Sequence, residues 1–256
     1  MPVTVNTNLF SLAARRNINR SQVDMKTAVQ RLSSGLRINM AKDDAAGLAI
    51  GQYAEMHARG AAVAQQTLGD AMSRLQVQDA TLQTANQLLQ RMRELALQKE
   101  SGTYTSGQKG YIDEEMTSLG TELGAIAARA MFNGVTAFGS FDALAGPATG
   151  NTISFGEDAP TLTASSSSTV TVIEGLIDGV NSSLAKIGGD ESVAEKAVST
   201  VMALEEAQWG AYGRTMDADI ARETARLTSS QVVQQAGIAA LAQANTMPQL
   251  ALGLLG

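Results

Sequence analysis

The sequence predicts a mainly α protein, with long antiparallel helices forming a coiled-coil-like bundle, one or two small β-hairpins, and N- and C-terminal helices paired. Three observations carry that prediction. Aromatic residues make up only 4% of the 256 residues while hydrophobic residues make up 44%, so the apolar content rests on Ala, Leu, Val and Met, which suit closely packed helices better than an enzyme core with large aromatic anchors. A seven-residue apolar repeat runs from Ala61 to Ala96, the spacing of a coiled-coil seam. Both ends, Met1 to Ala14 and Leu227 to Gly256, lack charged side chains, and the second carries the apolar series Leu227, Val233, Ile238, Leu241, Leu250, Leu254 and Leu255. Chain ends ordinarily fray and stay polar, so these ends, with Leu9 and Leu12 at the other terminus, are made for burial.

The elements follow in order. After the helix-prone N-terminal segment, one column of the repeat holds Ala61, Leu68, Leu75, Leu82, Leu89 and Ala96, and the column three residues later holds Ala64, Ala71, Gln78, Ala85 and Met92. Of these, Leu68, Leu75, Leu82, Leu89 and Met92 form the bulky seam. Proline is absent between Val3 and Gly146, so a helix from Ala45 to Glu100 is allowed, with a length of roughly 80 Å at ~1.5 Å per residue. The stretch Ser101 to Gln108 reads as a loop with Ser106 as N-cap. A second helix, Gly107 to Ala130, follows with the stripe Ile112, Met116, Leu119, Leu123 and Ile126, and the short connection makes the two helices antiparallel neighbours.

At Phe132 the character changes. Asn133-Gly134 is a turn signal, and Thr152 to Phe155 and Thr169 to Val172 are β-branched runs that read as strands, with a mobile tip at Thr163 to Ser168. Helical spacing returns through Ile173, Leu176, Ile177, Val180, Leu184 and Ile187, with a break expected at Gly188-Gly189-Asp190. It resumes through Val193, Ala197, Val201, Leu204 and Gln208, pauses from Gly210 to Gly213, and leads into the last helix. The chain therefore folds back on itself, so that both apolar ends emerge together.

Charge and composition exclude several functions. The net charge is −6, but residues 1–60 hold eight Lys/Arg and four Asp/Glu, net +4, leaving −10 for the rest. The basic segment has no aromatic residues among Arg15, Arg16, Arg20, Lys26, Arg31 and Arg37, which makes it a solvated or intersubunit helix face and not a nucleic-acid site. There is no cysteine, hence no disulfide and no thiolate chemistry. The N-terminus lacks the basic and long apolar regions of a cleaved signal peptide. The uncharged tail contains Gln231, Gln234, Gln235, Gln243, Asn245, Pro248 and Gln249, which would be costly in hydrocarbon, so no membrane span is expected.

Candidate chemistry is sparse. His57 is the single histidine, too little for a histidine metal site. Asp43 and Asp44 are adjacent and so diverge around a helix, which suits helix-start capping. Asp113, Glu114 and Glu115 diverge in the same way and read as a solvated face, and Asp217 and Asp219 read as caps of the last helix. No phosphate loop or dinucleotide fingerprint is present. Ser165, Ser166, Ser167 and Ser168 are exposed hydroxyls suited to glycosylation. The expectation is a protein with no catalytic residue, no cofactor and no metal site.

Five blocks resemble a known family. Gln30 to Asn39 with Ala41 to Gly47, Leu89 to Gln98, Phe132 to Val135, and Gln234 to Gly237 with Leu241 to Asn245 resemble bacterial flagellin, the filament subunit, in that family's order. The resemblance covers residues 1–139 and 176–256, and the middle is much shorter than in large flagellins. It implies an inner-tube domain made of residues 1–44 and 213–256. The surrounding layer is then residues 45–175, containing the long helix, the second helix and the hairpin region with a short variable tip at 141–172, together with the helix of residues 176–212.

The same resemblance implies a non-enzymatic subunit that polymerises head-to-tail into the extracellular flagellar filament for swimming, exported by the flagellar type III apparatus without signal cleavage. Implied partners are other copies of the chain, a flagellar export chaperone, a cap protein and hook–filament junction proteins. By residue-for-residue carry-over, Gln90, Arg91, Leu95 and Glu115 match positions recognised by the innate Toll-like receptor for flagellin, on a surface that also packs between protofilaments. Gly256 departs from the basic residue that ends many flagellins. Two alternative functions are a hook–filament junction protein and a flagellin-derived cell-surface binding protein.

Overall fold

The computed structural model describes residues 7–253, with side chains described for residues 7–246. Five helices and two short antiparallel strand pairs are found among them: α1 (Leu9–Ser34), α2 (Ala45–Glu100), α3 (Ser106–Arg129), β1 (Met131–Phe132), β2 (Val135–Thr136), β3 (Phe141–Leu144), β4 (Thr152–Phe155), α4 (Val170–Met216) and α5 (Ile220–Gly253). The chain divides into two compact units, unit 1 from Met1–Glu55 with Trp209–Gly256, and unit 2 from Met56–Gln208.

Unit 2 is organised around the heptad seam of α2. Leu68, Leu75, Leu82, Leu89 and Met92 are completely shielded, as is Gln78 in the same register. They meet Ile112, Met116 and Leu123 of α3 and Ile173, Ile177, Val180 and Ile187 of α4 in one continuous core. Both neighbours run antiparallel to α2. Lys99 pairs with Asp113 near the start of α3, while Thr81 and Val77 line a groove with Ile126 and Arg129 at its end; Arg93 pairs with Glu174 near the start of α4, and Asn86 bonds Asn181 further along it.

Capping differs from expectation in one place. Thr105, not Ser106, is the N-cap of α3, in a reciprocal box with Gln108, because only a side chain outside the first turn faces its free N–H groups. Asp44 does cap α2, its Oδ1 accepting the Gly47 N–H at 2.8 Å. The turn signal Asn133-Gly134 forms a two-residue hairpin between β1 and β2, with φ of 49° and 80°, the pair of positive values a tight hairpin requires.

Three further expectations are corrected. Thr169 to Val172 is not a strand: α4 starts at Val170, and the Thr169 carbonyl accepts the Ile173 N–H at 3.1 Å, so packing of the α4 face overrides β-propensity. α4 also runs unbroken through Gly188-Gly189-Asp190 and Gly210 to Gly213. Its shielded positions, Ile173, Ile177, Val180, Leu184, Ile187, Glu191, Ala194, Val198 and Val201, keep a 4–3 spacing across the glycine pair, and the burial this register secures outweighs the ~1 kcal/mol that each helical glycine costs. Finally, Thr163 to Ser168 is laid against the helices and does not project as a tip. Leu162 and Ala164 are buried, the Ala164 carbonyl sits so close to Gly120 that no side chain would fit there, and Lys99 Nζ donates to the Ser166 carbonyl at 2.9 Å.

The hairpins are held by α2. Arg74 donates through Nε to the Ala137 carbonyl at 2.8 Å and through Nη2 to the Thr136 and Phe138 carbonyls, and its guanidinium lies 4.2 Å from the Phe141 ring centroid. Gln78 Nε2 adds a second bond to Ala137 at 2.6 Å. β3 and β4 pair Phe141 with Phe155, and Gly156 N–H reaches Asp190 of α4 at 2.9 Å.

Candidate assembly surfaces

Unit 1 is built on the pairing of α1 with α5. The shielded positions of α1 include Ser11, Ala14, Ile18, Ser21, Met25, Ala28 and Leu32, and those of α5 include Glu223, Leu227, Ser230, Gln234, Gly237, Leu241 and Ala244. Each set alternates three- and four-residue steps, so the pair is an antiparallel two-stranded coiled coil. Its register is fixed along the length: Asn8 Nδ2 donates to the Ala244 carbonyl at 2.7 Å, Ser21 Oγ to the Ser230 carbonyl at 2.7 Å, and Arg31 pairs with Glu223 at 3.2 Å. Gly237 lets Ile18 approach, since a Cβ there would lie 2.8 Å from Ile18 Cγ1.

This seam is mostly small or polar, with Ile18, Met25, Leu32, Leu227 and Leu241 as its larger apolar members, and many of the large apolar side chains of the two helices lie outside it. Leu9, Phe10, Leu12, Val23 and Val29 of α1 and Val232, Val233 and Ile238 of α5 are half or more exposed, from 50% to 64%. Two of the expected assembly residues, Leu227 and Leu241, turn into the seam and are half-buried. The Leu250 side chain, Leu254 and Leu255 lie outside the described residues. Sequence reasoning missed the seam because Ser, Gln, Gly and Glu occupy much of it; the visible signal was the seven-residue recurrence of small residues at Ser21 and Ala28 and at Ser230 and Gly237.

The loops between helices are stitched within unit 1. Leu36 bridges Asp217, Arg37 N–H donates to the Met216 carbonyl at 2.6 Å, and Ala218 N–H to the Gly35 carbonyl at 2.9 Å. Gly35 takes φ 71° at the end of α1, a left-handed cap that glycine adopts freely. Asp219 caps α5 by accepting the Arg222 N–H at 3.1 Å, whereas Asp217 serves through its backbone. Glu223, 4% exposed, takes both Arg31 and Arg226 on Oε1.

On unit 2, Gln90 and Arg91 are exposed, and Arg91 crosses from α2 to α3 to meet Glu115 at 2.9 Å and also meets Glu94 at 3.1 Å. Those hydrogen bonds, Glu115's first, raise the guanidinium pKa above its ordinary value. Leu95 is corrected from a surface position to a core one, at 2% exposed. Asp113 turns to Lys99 while Glu115 turns to Arg91, so the acidic run is divided between separate partners. Ser165 and Ser167 are exposed with their hydroxyls 2.9 Å apart, and Ser168 Oγ accepts the Ser165 N–H at 3.0 Å. No described helix is long and apolar enough to cross a membrane.

Comparison with known proteins accounts for both units. Residues 5–141 match the bacterial flagellin N-terminal helical region and residues 170–255 the bacterial flagellin C-terminal helical region. The chain is 30% identical over 283 residues to Flagellin FlaB1 of Treponema pallidum, covering 98% of this chain and 99% of that one. It is 29% identical over 286 residues to the flagellar filament 33 kDa core protein of Treponema phagedenis, covering 98% and 99%. Against Flagellin A of Vibrio anguillarum it is 34% identical over 242 residues, covering 93% of this chain but only 57% of that longer protein. Helices at both ends that match the family's two helical regions, joined by a short hairpin segment, mark this chain as a member of the bacterial flagellin family.

Proposed function

We propose that the chain is a structural subunit that polymerises head-to-tail into a bacterial flagellar filament and performs no catalysis. One observation carries the assembly mechanism: α1 and α5 pair through a seam that is mainly small and polar and leave Leu9, Phe10, Leu12, Val23, Val233 and Ile238 exposed. A lone molecule gains nothing from that arrangement. Each such side chain buried against another copy contributes roughly 1.5–3 kcal/mol, enough in sum to offset the ordering of the ends. The contact is heterologous and open, since a closed symmetric dimer would end growth.

The names of the Treponema relatives, a flagellin and a filament core protein, support the same reading. It places the chain outside the cell and, by the family resemblance, brings an export chaperone, a cap protein and hook–filament junction proteins as partners, with export that needs no cleaved signal. The exposed group Gln90, Arg91 and Glu115 is the surface offered to an innate receptor or a neighbouring protofilament, with Leu95 supporting it from beneath. Removing residues 227–256 is the direct test: electron microscopy should show no filaments while circular dichroism still reports a helical unit 2. Normal filaments from the truncated chain would refute the reading.

A further inference from the structure

Unit 1 contains a cavity of about 450 Å³ lined by Arg31, Arg37, Arg214, Arg222 and Arg226. Four of its five acids are already engaged. Asp43 Oδ2 accepts the Asn39 and Met40 N–H groups at 3.2 Å each, Asp44 accepts Gly47, Asp219 accepts the Arg222 backbone, and Glu223 holds Arg31 and Arg226. Asp217 alone among the lining acids has a carboxylate with no partner among the described residues. Arg37 commits one nitrogen to the Thr215 carbonyl at 2.6 Å, and Arg31 Nε is buried without a partner. The guanidinium groups of Arg214 and Arg222 make no hydrogen bond or ion pair among the described residues. The lining is neutral in sum, so its bias lies in directed donors: two uncommitted guanidinium groups, Arg214 and Arg222, stand against one unpartnered carboxylate, Asp217, and a carboxylate fits such a planar fork in bidentate fashion.

Charge names the occupant. Unit 1 holds ten Lys/Arg and seven Asp/Glu, net +3, while unit 2 holds nine Lys/Arg and eighteen Asp/Glu, net −9. In a polymer of identical chains, the acidic unit 2 of one copy is complementary in charge to the basic unit 1 of another. We propose that this arginine-lined cavity is an intersubunit receptor for a carboxylate-bearing segment of unit 2 of a second copy, with Arg214 and Arg222 as its contact groups. The inference rests on the filament reading and adds to it a polar, directional contact that apolar burial alone does not supply.

The test uses the full chain. The double variant Arg214→Gln, Arg222→Gln should keep the monomer's circular dichroism and thermal midpoint, yet raise the critical concentration for polymerisation about tenfold or more and flatten its dependence on salt between low and physiological ionic strength. In a second arm, Arg222→Lys retains charge and places an amine at the cavity. Carbodiimide treatment of filaments grown from mixed ¹⁴N and ¹⁵N copies should then join the peptide containing position 222 to an acidic peptide from residues 56–208, in isotope-mixed pairs and only in polymer. Equal critical concentrations for wild type and double variant would overturn the proposal while leaving the filament reading intact. So would cross-links confined to one isotope, or saturable binding of inorganic phosphate at the cavity that leaves assembly unchanged. Failure of the wild type itself to polymerise would overturn both.

Discussion

Arg74 and Gln78 show how one turn of a helix fixes a loop. Arg74 satisfies three successive carbonyls and covers the Phe141 ring, so Arg74→Ala should cost about 1.5–3 kcal/mol in denaturant unfolding, the range for charge-assisted hydrogen bonds; a loss within error of zero would show that water replaces it. Gln78 stood out in the sequence as the polar residue in an apolar column, but nothing in the spacing could show that its partner is the Ala137 carbonyl, 59 residues away. Glu191 makes a different test. Its carboxyl pKa is raised, first by partial burial and then by Asp79. A raised folded-state value means that the fold binds the proton more tightly than the unfolded chain does, so the ionised group subtracts stability above that value and ceases to do so as pH falls below the ordinary carboxylate range near ~4.3. Glu191→Gln should therefore raise the thermal midpoint at pH 7, with the gain disappearing in acid; a gain that persists unchanged in acid would assign it to something other than ionisation.

At the scale of elements, α2 was legible because its seam is bulky and strictly periodic, and both its ends fall at Ala45 and Glu100. α4 was misread at its glycines because Gly-Gly is a strong local punctuator, while the signal for continuity is spread over nine shielded positions from Ile173 to Val201. A Cβ at Gly188 or Gly189 would meet open space. Gly188→Ala and Gly189→Ala should each stabilise the monomer by roughly 0.5–1 kcal/mol, read as a higher thermal midpoint; destabilisation by either would mean that the helix bends there after all. The α1–α5 pair was foreseen as a pairing but not in its register, since a seam in which Ser, Ala, Gly, Gln and Glu interrupt the larger apolar residues carries little hydrophobic periodicity. Gly237→Ala should weaken that pair, because the added carbon meets Ile18 at 2.8 Å.

For the whole molecule, the uncharged ends are the feature the sequence displayed most openly, and the structure shows how they are divided. Leu227 and Leu241 close the chain on itself, and Leu9, Leu12, Val233 and Ile238 face outward. The arginine cavity escaped sequence reasoning because Arg31 and Arg37 lie nearly two hundred residues from Arg214, Arg222 and Arg226, and only the pairing of α1 with α5 joins them. The division between seam and outer face separates folding from assembly. The decisive measurement is therefore polymerisation, by electron microscopy and sedimentation, of a chain carrying Val233→Glu and Ile238→Glu. The account predicts a monomer as helical as the wild type that forms no filaments at any accessible concentration; filaments of normal appearance at the wild-type concentration would contradict it.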